Sequence, residues 1–101
     1  MTIIVTGSFD LDPARRDAFI AAAQVCMAAS RQDEGNESYT FSADLDDPGR
    51  FHVTEQWASQ EAMDAHMGQA HMATFLGSMG DFGVTGGSLT KWEGASGSKL
   101  M

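Results

Sequence analysis

The sequence predicts an α+β fold: an antiparallel four-stranded sheet with two helices on one face. Three observations support this. Strand-like and helix-like segments follow the order β-α-β-β-α-β. Asp46-Asp47-Pro48-Gly49 is a strong turn signal that joins the two middle strands as a hairpin. The chain has 101 residues, enough for one domain with little spare core. Together they give the ferredoxin-like split βαβ arrangement.

The elements follow in order. Residues 2–9, TIIVTGSF, are β-branched and read as the first strand. Asp12 is a natural N-cap, and Pro13 fits the first helical position. The helix runs from Pro13 to about Arg31. Phe19, Ala23, Cys26 and Ser30 share one face, with Ile20 and Met27 beside them. Asp33-Glu34-Gly35-Asn36 ends it, with Gly35 suited to a left-handed conformation. A second strand covers about Glu37–Ala43, where Tyr39, Phe41 and Ala43 alternate with Ser38, Thr40 and Ser42. In the third, Phe51–Trp57, one face carries Phe51, Val53, Glu55 and Trp57, and the other His52, Thr54 and Gln56.

Ser59 caps the second helix and Glu61 suits its positive end. That helix is expected from Gln60 to about Met79, with a weak point at Gly68 and an apolar stripe of Met63, Met67, Ala70 and Thr74. Residues 77–87 hold five glycines and read as a flexible connection; GSMGDFGVTGG contains no phosphate-loop pattern. The last strand runs from about Val84 to Trp92. The domain is placed at residues 1–93, with residues 94–101 as a mobile tail.

Composition excludes several functions. The net charge is −8 and the six Lys and Arg are scattered, which argues against nucleic acid and anionic membranes as partners. No segment approaches a transmembrane length. Residues 1–9 lack a secretory pattern. The single cysteine, Cys26, lies in an apolar helical run and reads as a buried, inert thiol, which fits a reducing, cytoplasmic location. One sheet face has no helices to cover it, and apolar area there would sit in water. A homodimer pairing two sheets is therefore expected.

Chemistry concentrates in FHVTEQWASQEAMDAHMGQAHMATF, residues 51–75. His66 and His71 are five residues apart, about 140° on a continuous helix, so they do not share a face unless Gly68 breaks it. That spacing argues against a metal site, and none is expected. Each histidine is either a packed or exposed side chain, or a general base or hydrogen-bond donor to a substrate oxygen. Trp57 is either core or an aromatic wall whose indole N–H orients a substrate. Glu55, in phase with Trp57, needs a partner, and a contact across the dimer is preferred to a catalytic role. Tyr39, Phe41 and Phe75 read as core. There is no GxSxG, dinucleotide fingerprint or CxxC.

EQWASQEAMDAHMGQAHMATF, residues 55–75, resembles the antibiotic biosynthesis monooxygenase family of dimeric α/β barrels. The matching positions are Glu55, Trp57, Ser59, Ala65, His66 and His71. QDEGNESY, residues 32–39, is similar to the turn that enters the family's second strand. The likeness is greatest to the quinol monooxygenases. It implies oxygenation of a quinol or polycyclic phenol by O2 without a cofactor. It implies that Trp57, His66 and His71 contact the substrate, that Tyr39 and Phe75 form walls, and that one histidine is the base. Many relatives have Pro before the second histidine, where this chain has Ala70. Haem-degrading relatives use Asn, Trp and His at positions corresponding to Gly7, His66 and Leu76, which excludes that reaction here. Two alternatives remain: a non-catalytic dimeric module that binds a small aromatic, and an isomerase of a small phosphorylated metabolite, for which Lys91 on the last strand is the obvious cation in the second half besides Arg50 and the tail Lys99.

Overall fold

Two-residue alternation builds the sheet, and the turns between strands set its register. The computed structural model describes residues 1–101. The elements are β1 (Ile3–Asp10), α1 (Arg16–Ser30), β2 (Asn36–Ala43), β3 (Arg50–Trp57), α2 (Gln60–Met67), α3 (Ala70–Gly77) and β4 (Gly86–Glu93). Short 3₁₀ turns precede α1 (Pro13–Arg15) and follow α3 (Met79–Phe82). The sheet order is β2-β3-β1-β4 with all neighbours antiparallel, which is the ferredoxin-like fold. The β2–β3 hairpin is held by Asp44, whose carboxylate accepts the backbone N–H groups of Asp46 and Asp47 and faces His52 Nε2 at 2.8 Å.

Strand register lays out rows of side chains across the helix-covered face. Tyr39 pairs with Glu55, Glu55 with Val5, and Val5 with Lys91. The next row is Phe41, Val53, Gly7 and Leu89. A side chain at Gly7 would collide with Leu89 and with the carbonyl of Ser88, so glycine lets Leu89 lie over β1. Against this face α1 buries Phe19, Ala23, Cys26 and Ser30, the four residues its helical spacing selects. Phe19 is the hub of the core, with its ring 4.6 Å from Phe51 and 5.5 Å from both Phe9 and Phe82.

Three features depart from expectation. The second helix is two helices: Gly68 closes α2, and Gln69 is extended (φ −72°, ψ 146°) before α3 begins. The break resets the helical phase, so the stripe of Met63, Met67, Ala70 and Thr74 does not form. His66, Met72 and Phe75 are buried instead, while Met67, Ala70 and Thr74 are exposed. The glycine-rich connection is also ordered around Phe82, which is buried and whose carbonyl accepts the N–H of Asp12. β4 accordingly starts at Gly86 rather than Val84. Finally, Tyr39 and Phe41 lie under the helices. The uncovered sheet face carries mainly Thr6, Ser8, Thr40, His52 and Thr54 with Ile4 and Trp92, so it is far less apolar than the dimer argument assumed. No helix is long and apolar enough to cross a membrane.

Candidate active site

The site is assembled by two chain breaks. The first is the turn after α1. Gly35 has φ +81°, and a Cβ there would lie 2.5 Å from Ala62 Cβ, so the turn touches α2 as only glycine allows. The Gly35 carbonyl accepts the N–H of Ala58 at 2.8 Å, which pins the turn to the end of β3. Asp33 is thereby held beside α2. The second break, at Gly68 and Gln69, swings the start of α3 back toward the end of α2.

These breaks bring together three residues that sequence spacing separated. Asp33 Oδ2 lies 2.7 Å from His66 Nδ1 and 2.9 Å from His71 Nε2. An ionised carboxylate only accepts, so each ring presents an N–H to it. The other two nitrogens, His66 Nε2 and His71 Nδ1, are buried without a partner. In neutral rings that donate to Asp33 in this way, these two nitrogens carry the lone pairs. The His66 side chain is 1% exposed and packs against Trp57, with ring centroids 4.5 Å apart and planes tilted by 37°. Sequence reasoning missed Asp33 altogether: it read only as part of a helix-ending turn.

An apolar cavity of about 560 Å³ lies between α2, α3 and the helix-covered face of the sheet, with lining from all four strands. That volume is within the ~300–1,000 Å³ of small-molecule pockets. Its floor includes Tyr39, Phe41, Val53 and Glu55, and its walls include His66, Phe75 and four methionines (Met63, Met67, Met72 and Met79). Flexible, polarisable methionines adapt to flat aromatic ligands. Lys91 is at the rim, where its ammonium meets Gln60 Oε1 and Glu93 at 2.9 Å each.

The seven residues singled out from sequence divide here. His66, Tyr39, Phe41, Glu55 and Phe75 line the cavity; Trp57 and His71 do not. Trp57 is fully buried, and its indole N–H donates to Glu55 Oε1 at 3.0 Å. It is therefore committed to the protein, and Glu55 has its partner within the chain rather than across a dimer. The two lie two residues apart on one strand face, which brings donor and acceptor together. His71 is linked to the cavity only through His66, by their shared Asp33 oxygen and by ring centroids 5.5 Å apart.

Burial raises the pKa of Glu55, opposed by the Trp57 N–H and by His66. Burial, with the charge of Glu55, pushes the Tyr39 hydroxyl far above its ordinary value, so Tyr39 remains a neutral O–H. Cys26 is buried and its thiol is also raised by desolvation, as an inert core cysteine should be. The broken helix removes the spacing objection to a metal: Asp33, His66 and His71 offer ligand atoms all within 4.8 Å of one another.

Comparison with known proteins places the chain among relatives. The sequence model of the antibiotic biosynthesis monooxygenase family matches residues 2–77. Over 74 residues the chain is 30% identical to the uncharacterized protein sll1783 of Synechocystis, covering 73% of this chain and 50% of that one. It thus spans half the length of that relative. It is 28% identical over 74 residues to YcnE of Bacillus subtilis, provisionally named a monooxygenase, covering 73% of this chain and 78% of YcnE. A solved structure provisionally named an antibiotic biosynthesis monooxygenase, from Deinococcus radiodurans, superposes with a TM-score of 0.89 at 24% identity over 98% of each chain. Rv0793 from Mycobacterium tuberculosis gives 0.87 at 21% identity, over 98% of this chain and 100% of its own. At these identities the two structures speak for the fold.

Proposed function

The chain belongs to the antibiotic biosynthesis monooxygenase family, and from that premise we propose a cofactor-independent monooxygenase that oxidises a quinol or polycyclic phenol with O2. The family and the name of YcnE support an oxidoreductase role in general. The observation that carries the finer reading is one wall of the cavity. There, amid apolar side chains, His66 has Nδ1 committed to Asp33 and Nε2 buried without a partner. A phenol O–H is the donor that nitrogen lacks, and reaching it requires the surrounding side chains to part, since the atom is closed to solvent.

The chemistry follows from those groups. The substrate ring lies among Phe41, Phe75 and the methionines. His66 Nε2 takes the phenolic proton, and Asp33 stabilises the imidazolium through Nδ1–H. The electron-rich phenolate passes one electron to O2. The radical pair recombines at a ring carbon, forming a C–O bond; the peroxide takes the proton back from His66, and the hydroperoxide loses water to leave the quinone. One oxygen atom enters the product and the other leaves as water. The substrate supplies every electron, so no external reductant is needed. Tyr39 and Glu55 border the same floor, and the Tyr39 hydroxyl turns to α1, 3.8 Å from Cys26 Sγ. The apolar walls exclude water from the intermediates. Trp57 and His71 act as positioning residues, holding Glu55 and Asp33.

The working unit in this reading is residues 1–93, paired as a homodimer through the uncovered sheet face around Ile4 and Trp92. A buried thiol as the chain's one cysteine fits a reducing compartment such as the cytoplasm. An isomerase acting on a phosphorylated metabolite would need cations at the cavity. Lys91 is the one Lys or Arg in its lining, and it is already engaged by Glu93.

Oxygen uptake by chelator-treated protein given a reduced naphthoquinol tests the reading. Uptake above autoxidation that falls by ~10²–10⁴ in His66→Gln is the expected result. Quenching of tryptophan fluorescence by the quinol without any uptake would instead identify a binding module.

A further inference from the structure

We propose that Asp33, His66 and His71 form a binding site for a divalent transition-metal ion such as Zn2+, and that the ion switches off the base at this site. Two imidazole N–H groups converge on one carboxylate oxygen, Asp33 Oδ2, at 2.7 and 2.9 Å. A cation takes the place of both protons in such an arrangement. The donors are the borderline N and O ligands that Zn2+ prefers, and three protein ligands leave one position open. They come from three separate elements: the turn after α1, the end of α2 and the start of α3. The cluster is already gathered and shielded, with side chains 1% (His66), 21% (His71) and 11% (Asp33) exposed. Tetrahedral ligand atoms around Zn2+ lie about 3.3 Å apart, so binding requires the carboxylate to retreat by roughly half an ångström and the two ring nitrogens, now within 4.8 Å, to draw together. Asp33 is on a turn, where a side-chain rotation supplies its part, and the break at Gly68 and Gln69 lets His71 on α3 move toward His66.

The consequence is set by tautomers. Without an ion, His66 Nδ1 carries the ring proton toward Asp33, and Nε2 keeps its lone pair. A metal binds through the Nδ1 lone pair, so the single proton of the neutral ring must move, through solvent, to Nε2. His66 then offers a donor where the oxygenase reading needs an acceptor. Metal binding and proton abstraction exclude each other at one imidazole. The binding site stands on geometry alone, whereas its effect on activity rests on the oxygenase reading.

The test uses chelator-treated full-length protein. Calorimetric titration with Zn2+ is expected to give one ion per chain. His71→Ala and Asp33→Asn should each weaken binding by about 100-fold or more, since losing a ligand costs at least as much as losing its supporting shell. His52→Ala, which removes the exposed pair with Asp44, should leave binding unchanged. The wild type alone gives a second readout if a variant fails to fold: Co2+ should shift the ring protons of His66 and His71 in the NMR spectrum and spare His52. No binding at millimolar Zn2+, binding that survives His71→Ala, or Co2+ shifts confined to His52 would each overturn the site. Zn2+ should also suppress quinol-dependent oxygen uptake, and chelator should restore it. Binding without oxygen uptake from any quinol would leave the site standing and remove the oxygenase; uptake without binding would do the reverse.

Discussion

Replacing Gly35 with alanine tests whether the turn after α1 builds the site. Gly35 has φ +81°, where a residue with a Cβ is destabilised by about 1–2 kcal/mol. The new methyl would also lie 2.5 Å from Ala62 Cβ. Carbon atoms rest at about 3.5–4.0 Å, so turn and helix must separate by roughly 1 Å. Overpacking of this kind typically costs ~1–3 kcal/mol. The sum is about 2–5 kcal/mol, a large share of a small domain's stability. Urea denaturation of Gly35→Ala, Ala62→Gly and the double variant separates the two contributions. The double variant should recover the steric part, giving a coupling of about 1–3 kcal/mol, and keep the backbone strain. A retreat of 1 Å also takes Asp33 past hydrogen-bonding distance of both histidines, which now lie at 2.7 and 2.9 Å. Oxygen uptake should therefore fall in the folded variant as well. A loss of stability under ~0.5 kcal/mol, or no coupling to Ala62, would refute the reasoning.

Other residues give independent predictions. Asp33→Asn removes the negative charge that would stabilise a His66 imidazolium and puts an N–H2 in place of one acceptor oxygen, so steady-state oxygen uptake should drop ~10²-fold or more while quinol binding, read by fluorescence quenching, survives. Glu55→Gln should change how stability depends on pH. Burial raises Glu55 above 4.5, its ordinary value, so its contribution is complete below pH 4.5 and is lost as pH rises through the folded-state pKa. Urea midpoints measured from pH 4.5 upward should fall more in the wild type than in Glu55→Gln; identical slopes would contradict this. Trp57→Phe strands the buried Glu55 oxygen, costing ~1–3 kcal/mol and steepening the same pH dependence, both measurable by the same denaturation series.

Local rules made most of the fold legible. The buried face of α1, the left-handed Gly35, the Ser59 cap and the inward set of β3 each follow from a pattern within a few residues. The second helix did not, because a single Gly68 is a weak break and Gln69 carries no capping signal. Reading through the break set the stripe a fraction of a turn out of phase. Asp33 was invisible for another reason: its partners are 33 and 38 residues away, and only the folded turn brings them near. The bond between Trp57 and Glu55 was within reach. Two residues on one face of a strand, one an N–H donor and one a carboxylate, are already neighbours.

Mass spectrometry of the product formed from a quinol under ¹⁸O₂ tests the central claim most directly. The account predicts a quinone carrying one ¹⁸O atom at the newly oxygenated carbon, formed by metal-free protein and not by His66→Gln. Consumption of the quinol with hydrogen peroxide as the reduced product and no label in the ring would contradict it, since O2 would then have served only as an electron acceptor.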